Sequence, residues 1–248
     1  MRIEWIGTGS GLNPTLGNTS FLVRGDDNRV LLVDCGATVA PALMNGMRIK
    51  EVTDIVITHT HADHIGGLEG FGFMHYFALK NRGEKRPRLH LATHAMAEKL
   101  WNESLCGGMH KIQTDENMPM DATLKTFFDV CIGHTIEIPG IPKMTLCPTQ
   151  HVHGLENYAL RFDNGIYYSG DTVELPPSGA RIIFQDCQFY ETPSDVHISY
   201  DKLARLMPAG TKAVTWLVHL GGGWDKKDPK TEGYGFAGFV QPGQVFEF

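Results

Sequence analysis

Disulfide chemistry has little to work with in this chain. Its 248 residues include five cysteines, Cys35, Cys106, Cys131, Cys147 and Cys187. The number is odd and no two form a C-x-x-C pair, which points away from a disulfide framework and from a cysteine-built zinc cluster. Reduced thiols in a cytoplasm fit this usage. No apolar run approaches the ~20 residues that span a bilayer. Met1-Arg2-Ile3-Glu4-Trp5 lacks the apolar segment of a signal peptide, so a cytoplasmic protein away from membranes is expected. Positive charge is not in excess either. The 22 Lys and Arg are outnumbered by 28 Asp and Glu, for a net charge of −6, which argues against a large nucleic-acid footprint. Basic residues gather once, at Lys80, Arg82, Lys85, Arg86 and Arg88, a run that reads as a solvated loop. Repeats, low-complexity tracts and linkers are absent. Single layered domains reach this length, so one domain over 1–248 is expected.

Short apolar runs punctuated by turn residues make up the rest. Ile3–Ile6, Thr19–Val23 and Val30–Val33 read as strands of an antiparallel meander, with turns at Gly7–Gly11 and Asp26-Asp27-Asn28. Thr38–Met47 has helical spacing, and Ile55–Thr58 is a buried strand. Residues 65–130 read as mostly helical with loops, with a helix over Ala92–Trp101 and an irregular stretch over Cys106–Met120. A second set of strands is expected at Thr135–Ile138, Met144–Pro148, Tyr158–Phe162, Ile166–Ser169, Ile182–Phe184 and Ala213–Val218, with a helix at Tyr200–Met207. The aromatic tail Tyr234–Phe239 is expected to dock on the core. Two facing sheets with helices outside satisfy this pattern, an α/β architecture.

The chemistry concentrates in His59-Thr60-His61-Ala62-Asp63-His64, four metal-capable side chains in six residues directly after an apolar strand. Side chains two apart on an extended chain point the same way, so His59 and His61 share a face. A turn at Gly66-Gly67 then offers Asp63 and His64 to the same point. Imidazole and carboxylate suit zinc and its neighbours. His151, His153, Asp171 and His219 also follow strands, where polar residues converge on sites.

In this order, Asp34, the H-x-H-x-D-H run, His151, Gly170-Asp171-Thr172 and His219 resemble the metallo-β-lactamase superfamily. The opening Gly7-Thr8-Gly9-Ser10, Gly170-Asp171-Thr172 and a late Asp186…His197 pair are most similar to its ribonuclease Z-like phosphodiesterase branch. The resemblance implies a four-layer αββα sandwich and two divalent metal ions, Zn²⁺ or Mn²⁺, sharing a hydroxide. His59, His61 and His151 would hold one ion, Asp63, His64 and His219 the other, and Asp171 would bridge them. His151 is preferred to His153 because Tyr158 follows it at the family's spacing. His153 would then lie behind the ligands or face substrate. Asp34 could accept the far N–H of a ligating imidazole. Asp63, Asp186 and His197 are the candidate catalytic residues, although the family usually has Glu where this chain has Asp186.

Ribonuclease Z carries a long tRNA-gripping arm between its distal His and its bridging Asp. Here 19 residues separate His151 from Asp171, with a turn at Asp163-Asn164-Gly165. A small phosphodiester is therefore the better expectation than tRNA. A compact group of this branch that hydrolyses cyclic mononucleotides has a similar length and a similar Gly-Thr-Gly-Ser…Leu-Gly-Asn-Thr-Ser opening. That group implies a homodimer in which 106–120 could close over a partner's nucleotide. A tRNA 3′-processing enzyme and a lactonase or thioesterase are the alternatives.

Overall fold

The computed structural model describes residues 1–79, 85–114, 116–191, 195–230 and 235–248. Lys80 and Arg82 of the basic run, and Tyr234 of the tail, lie outside the described residues.

The first half of the chain supplies β1 (Arg2–Gly7), β2 (Ser20–Arg24), β3 (Val30–Val33), β4 (Asp54–Val56), β5 (Arg88–Leu91), β6 (Lys111–Gln113), β7 (Pro119–Asp121) and β8 (Asp129–Ile132). The second half supplies β9 (Thr135–Ile138), β10 (Ile141–Pro148), β11 (Tyr158–Phe162), β12 (Ile166–Tyr168), β13 (Ile182–Asp186), β14 (Thr215–Val218), β15 (Gly238–Phe239) and β16 (Val245–Glu247). They form two seven-stranded sheets, ordered β16-β1-β2-β3-β4-β5-β8 and β15-β14-β13-β12-β11-β10-β9. Each sheet is antiparallel on one side and parallel on the other, the change falling at β3 and at β12.

Large aromatic residues join the sheets. Trp5 and Phe21 of the first sheet meet Tyr168 and Phe184 of the second, with Trp5–Phe184 centroids 5.0 Å and Phe21–Tyr168 centroids 5.1 Å apart. All four are buried. Such rings bury large apolar areas and lock the layers in tilted or edge contacts. Helices cover the outer faces. Val39–Met44 and Leu68–Phe73 bury Val39, Leu43, Leu68 and Phe71 in the main core. Tyr200–Leu206, capped by Ser199 accepting from the Lys202 amide, packs Tyr200 and Leu203 with Leu217 and Phe236. The expected α/β sandwich of two mixed sheets is observed.

Two expectations change, and that for the tail holds. Residues 65–130 are not merely helical, because β5 and β8 extend the first sheet. Both strands are four residues long and parallel, too short for a periodicity to declare itself. The stretch 106–120 is not irregular. Cys106–Met109 is a helical turn, and β6 and β7 pair as a hairpin from Lys111↔Asp121 to Gln113↔Pro119. The tail packs on the core through buried Phe236, and Gly238–Phe239 adds an edge strand that pairs with β14.

Candidate metal centre

Parallel strands present their carboxyl ends on one side of a sheet, the place where α/β proteins build sites. Here both sheets do so together. Asp34 follows β3, His59 follows β4, Asp171 follows β12, Asp186 ends β13 and His219 follows β14. Asp34 and His219 have left-handed backbones, with φ of 58° and 57°. That conformation is costly for a residue with a Cβ and is seen where a site demands it. His61 is extended and caps the helix Ala62–Ile65, whose first turn carries Asp63 and His64.

Three overlapping donor groups result. His59, His61, His151 and Asp171 form one; Asp63, His64, Asp171 and His219 form a second; Asp171, Asp186, His197 and His219 form a third; within each, one ligand atom per residue lies within 4.8 Å of all the rest. Asp171 belongs to all three. Its Oδ2 is 3.8 Å from His59 Nε2, 3.9 Å from His151 Nε2, and 3.4 Å from each of His64 Nε2 and His219 Nε2. His61 Nδ1 and His151 Nε2 face each other at 3.1 Å.

The far sides of the rings are held. His64 Nδ1 lies 2.8 Å from Asp34 Oδ2, and the Thr58 hydroxyl donates to the same oxygen at 2.9 Å. With its proton committed there, Thr58 Oγ1 accepts from His59 Nδ1 at 3.1 Å. Asp34 thus fixes both rings, one directly and one through Thr58, and turns both Nε2 lone pairs inward. His59 Nε2 and Asp171 Oδ1 are buried without a hydrogen-bond partner. Val196 holds His151 by accepting from Nδ1 at 2.7 Å. Thr58 and the Val196 carbonyl escaped the sequence reading. Thr58 borders the His run, and its type suits such a relay, whereas a backbone carbonyl leaves no signal.

Charge explains why a cation belongs here. Asp34, Asp171 and Asp186 are almost wholly inaccessible, and buried carboxylates must be compensated. Burial opposes protonation of His64 and His219, yet nearby carboxylates outweigh it. Asp171 and Asp34 push His64 well up, and Asp171, Asp186 and Asp63 push His219 up to about 10. For Asp171 burial is likewise overridden, by His219 and His64, and its carboxyl is held well below the usual range. His59 and His151 go down, burial being the chief cause. Divalent ions would replace the shared protons, since ligating imidazoles must be neutral. The donor set, the inward lone pairs and the negative potential therefore fit such ions.

Beside the second group, Asp186 Oδ2 contacts His197 Nδ1 at 2.8 Å and accepts from the Thr172 amide at 2.9 Å. Its Oδ1 lies 3.3 Å from His219 Nδ1. For His197, burial is outweighed by Asp186, which pushes the imidazole up. A cleft of about 530 Å³ opens over this cluster, with His61, Asp63, His197 and His219 inside it and Leu12 and Tyr190 among its walls. His153 is elsewhere. It is exposed, in the turn closed by Leu155 N–H on the Val152 carbonyl, and belongs to none of the donor groups and not to the cleft wall. This corrects the expectation that it backs the ligands or faces substrate.

The layered sheets and the converging imidazoles and carboxylates define a metal-dependent hydrolase of the metallo-β-lactamase fold. The fold is shared with YhfI of Bacillus subtilis, at 20% identity and a TM-score of 0.71 over 99% of this chain and 98% of that one. It is also shared with the short form of human tRNase Z, at 14% identity and a TM-score of 0.66 over 100% and 99%. The family model for the anti-Pycsar protein Apyc1 matches residues 1–246, and the chain belongs to that family. Relatives of that name include one from Paenibacillus harenae, 33% identical over 100% of both chains. Another, from Bacillus phage BSP38, is 32% identical over 95% of each. No described helix is long and apolar enough to cross a membrane.

Proposed function

We propose that the protein is a binuclear metal-dependent phosphodiesterase that hydrolyses a cyclic mononucleotide. The observation that carries this reading is a pair of donor groups sharing Asp171, with the Asp186–His197 pair held at 2.8 Å beside them. His59, His61 and His151 would hold one ion, Asp63, His64 and His219 the other, and Asp171 would bridge. Nitrogen and carboxylate donors favour Zn²⁺ and tolerate Mn²⁺. Two such ions supply Lewis-acid polarisation of a phosphoryl group and a nucleophilic water at neutral pH.

The chain's own residues complete the reaction. Asp186 fixes the His197 ring through Nδ1 and favours its protonated form. In that form His197 stabilises charge on the phosphoryl oxygens and protonates the ribose oxygen as its bond to phosphorus breaks. The product is a mononucleotide with one new hydroxyl and one new phosphate oxygen. The cleft suits a substrate of that size. The His151–Asp171 connection is the plain hairpin of β11 and β12, with no arm to grip tRNA. The relatives' shared name, anti-Pycsar protein, and the resemblance to the cyclic nucleotide group support the same reading. A homodimer belongs to the proposal, with the β6–β7 hairpin and its exposed Met118 offered to a partner's cleft.

The test is a hydrolysis screen of cyclic mono- and dinucleotides, precursor tRNA, lactones and thioesters with Zn²⁺- or Mn²⁺-loaded protein. Turnover of a cyclic mononucleotide that chelator abolishes and metal restores is expected. Metal-loaded protein that leaves every cyclic mononucleotide intact would falsify the substrate assignment. Full turnover by Asp186→Ala and His197→Ala variants would remove the phosphodiester mechanism.

A further inference from the structure

A second concavity lies at the opposite end of the first sheet. It measures about 840 Å³, and Arg29, Lys50, Lys85, Arg86 and Arg88 line it, with Asp129 and His75 also in the wall. Arg88 and Asp129 are the first residues of β5 and β8, so the cavity sits where those parallel strands begin. The metal centre lies beyond where they end.

Solvated charge is the ordinary explanation of a basic run, and it covers Lys85–Arg88 alone. It does not explain why Arg29 and Lys50, from two other parts of the chain, close on the same hollow. Buried Asp54 accounts for only part of the charge. Arg29 donates to Asp54 Oδ2 through Nε at 3.1 Å and Nη2 at 2.7 Å, and Arg88 Nε approaches Oδ1 at 2.7 Å. Two guanidiniums thus share one carboxylate. Arg88 Nη2 is buried without a hydrogen-bond partner. Among the described residues no carboxylate pairs with Lys50, Lys85 or Arg86, and Arg86 Nη1 donates to the Lys125 carbonyl at 2.5 Å. Among the described residues five cations therefore face two carboxylates, Asp54 and Asp129, an excess of three in a chain whose net charge is −6. Like charges gathered around a hollow repel one another and focus a positive potential inside it, which an anion relieves. Guanidinium forks match phosphate oxygens, and lysines add point charge.

We infer that this cavity binds a small compound carrying two or more phosphate groups, at a site separate from the metal centre. A single phosphate, carrying about −1.5 to −2 near neutral pH, would leave about a third to a half of the excess charge uncompensated. An extended polyanion would lie across a surface and not within a hollow.

Methylenediphosphonate, which has no P–O–P bond to cleave, is the probe, titrated calorimetrically into metal-loaded protein. One site per chain outside the metal centre is expected. Affinity should fall at least tenfold in the Lys50→Ala/Lys85→Ala double variant. It should survive in His219→Ala, which damages only the metal centre. Chelation of metal by the probe is common to wild type and double variant and cancels between them. Equal affinity in the double variant would overturn the inference. So would loss of binding in His219→Ala alone, or competition by equimolar sulfate as effective as the diphosphonate itself. Binding of a short single-stranded RNA without the diphosphonate would reassign the hollow to nucleic acid. Thermal melting of each variant separates a lost site from a lost fold.

Discussion

Asp34 holds more of the site than its distance from the cleft suggests. Its two oxygens accept from the Thr58 amide and hydroxyl and contact His64, so one carboxylate orients two imidazoles. Asn tolerates the same left-handed backbone, which makes Asp34→Asn a test of charge and not of shape. Its amide NH₂ would confront the N–H of His64 Nδ1. Partners behind ligating imidazoles contribute 10–100-fold in metal affinity. Chelator competition on Asp34→Asn should show a loss of about that size, with the melting temperature little changed. Unaltered metal content at limiting metal would refute the role. Asp186 stands in the same relation to His197. Asp186→Asn should lower kcat by about 10²–10⁴-fold, the range for a lost general acid, and leave KM nearly unchanged. A pure KM effect would make Asp186 a binding group instead.

At the scale of elements, the site depends on backbone lying against backbone. The Cys35 amide donates to the His64 carbonyl at 2.7 Å, and the Gly67 amide to the Cys35 carbonyl at 2.8 Å. Between them, a Cβ on Gly36 would lie 1.9 Å from the Asp63 carbonyl oxygen and 2.6 Å from the Asn18 Cβ. The Asp63 carbonyl cannot yield without moving the helix Ala62–Ile65. Gly36→Ala should therefore cost about 1–3 kcal/mol by urea unfolding, as overpacking does, and lower metal content. Wild-type metal affinity in that variant would show that the loop relaxes. The same contacts explain what the sequence disclosed. The His59–His64 run was legible because its spacing alone brings several donors to one point, and β1 to β4 were legible from apolar runs bounded by turn residues. Thr58, the Val196 carbonyl and the exposed place of His153 were not, because each depends on how distant segments meet. Strands β5 and β8 were hidden by brevity, and so was the β6–β7 hairpin, whose three-residue strands offer one apolar residue each, Ile112 and Met120.

Across the whole molecule, buried charge stands at both ends of the parallel strands, and the ends differ in how it is settled. At the carboxyl ends the imidazoles and carboxylates are arranged for cations. At the amino ends Asp54 is compensated within the chain by Arg29, Arg88, His90 and Thr53. Burial alone would raise its carboxyl, but the bonds from His90, Thr53, Arg88 and Arg29 outweigh it and hold the group at about 2, against 3.8 when free. A depressed carboxyl stabilises the fold above its unfolded value and stops doing so as pH falls through its folded value. The window is thus between about pH 4 and pH 2, and the shift corresponds to about 2 kcal/mol at neutral pH. Asp54→Asn should lose about that much at pH 7 in urea titrations. The gap from wild type should halve by about pH 3, as the unfolded carboxylate takes up its proton while the native one stays largely ionised. A gap that stays constant from pH 7 to pH 3 would mean that packing at β4, and not the charge on Asp54, is what the strands share.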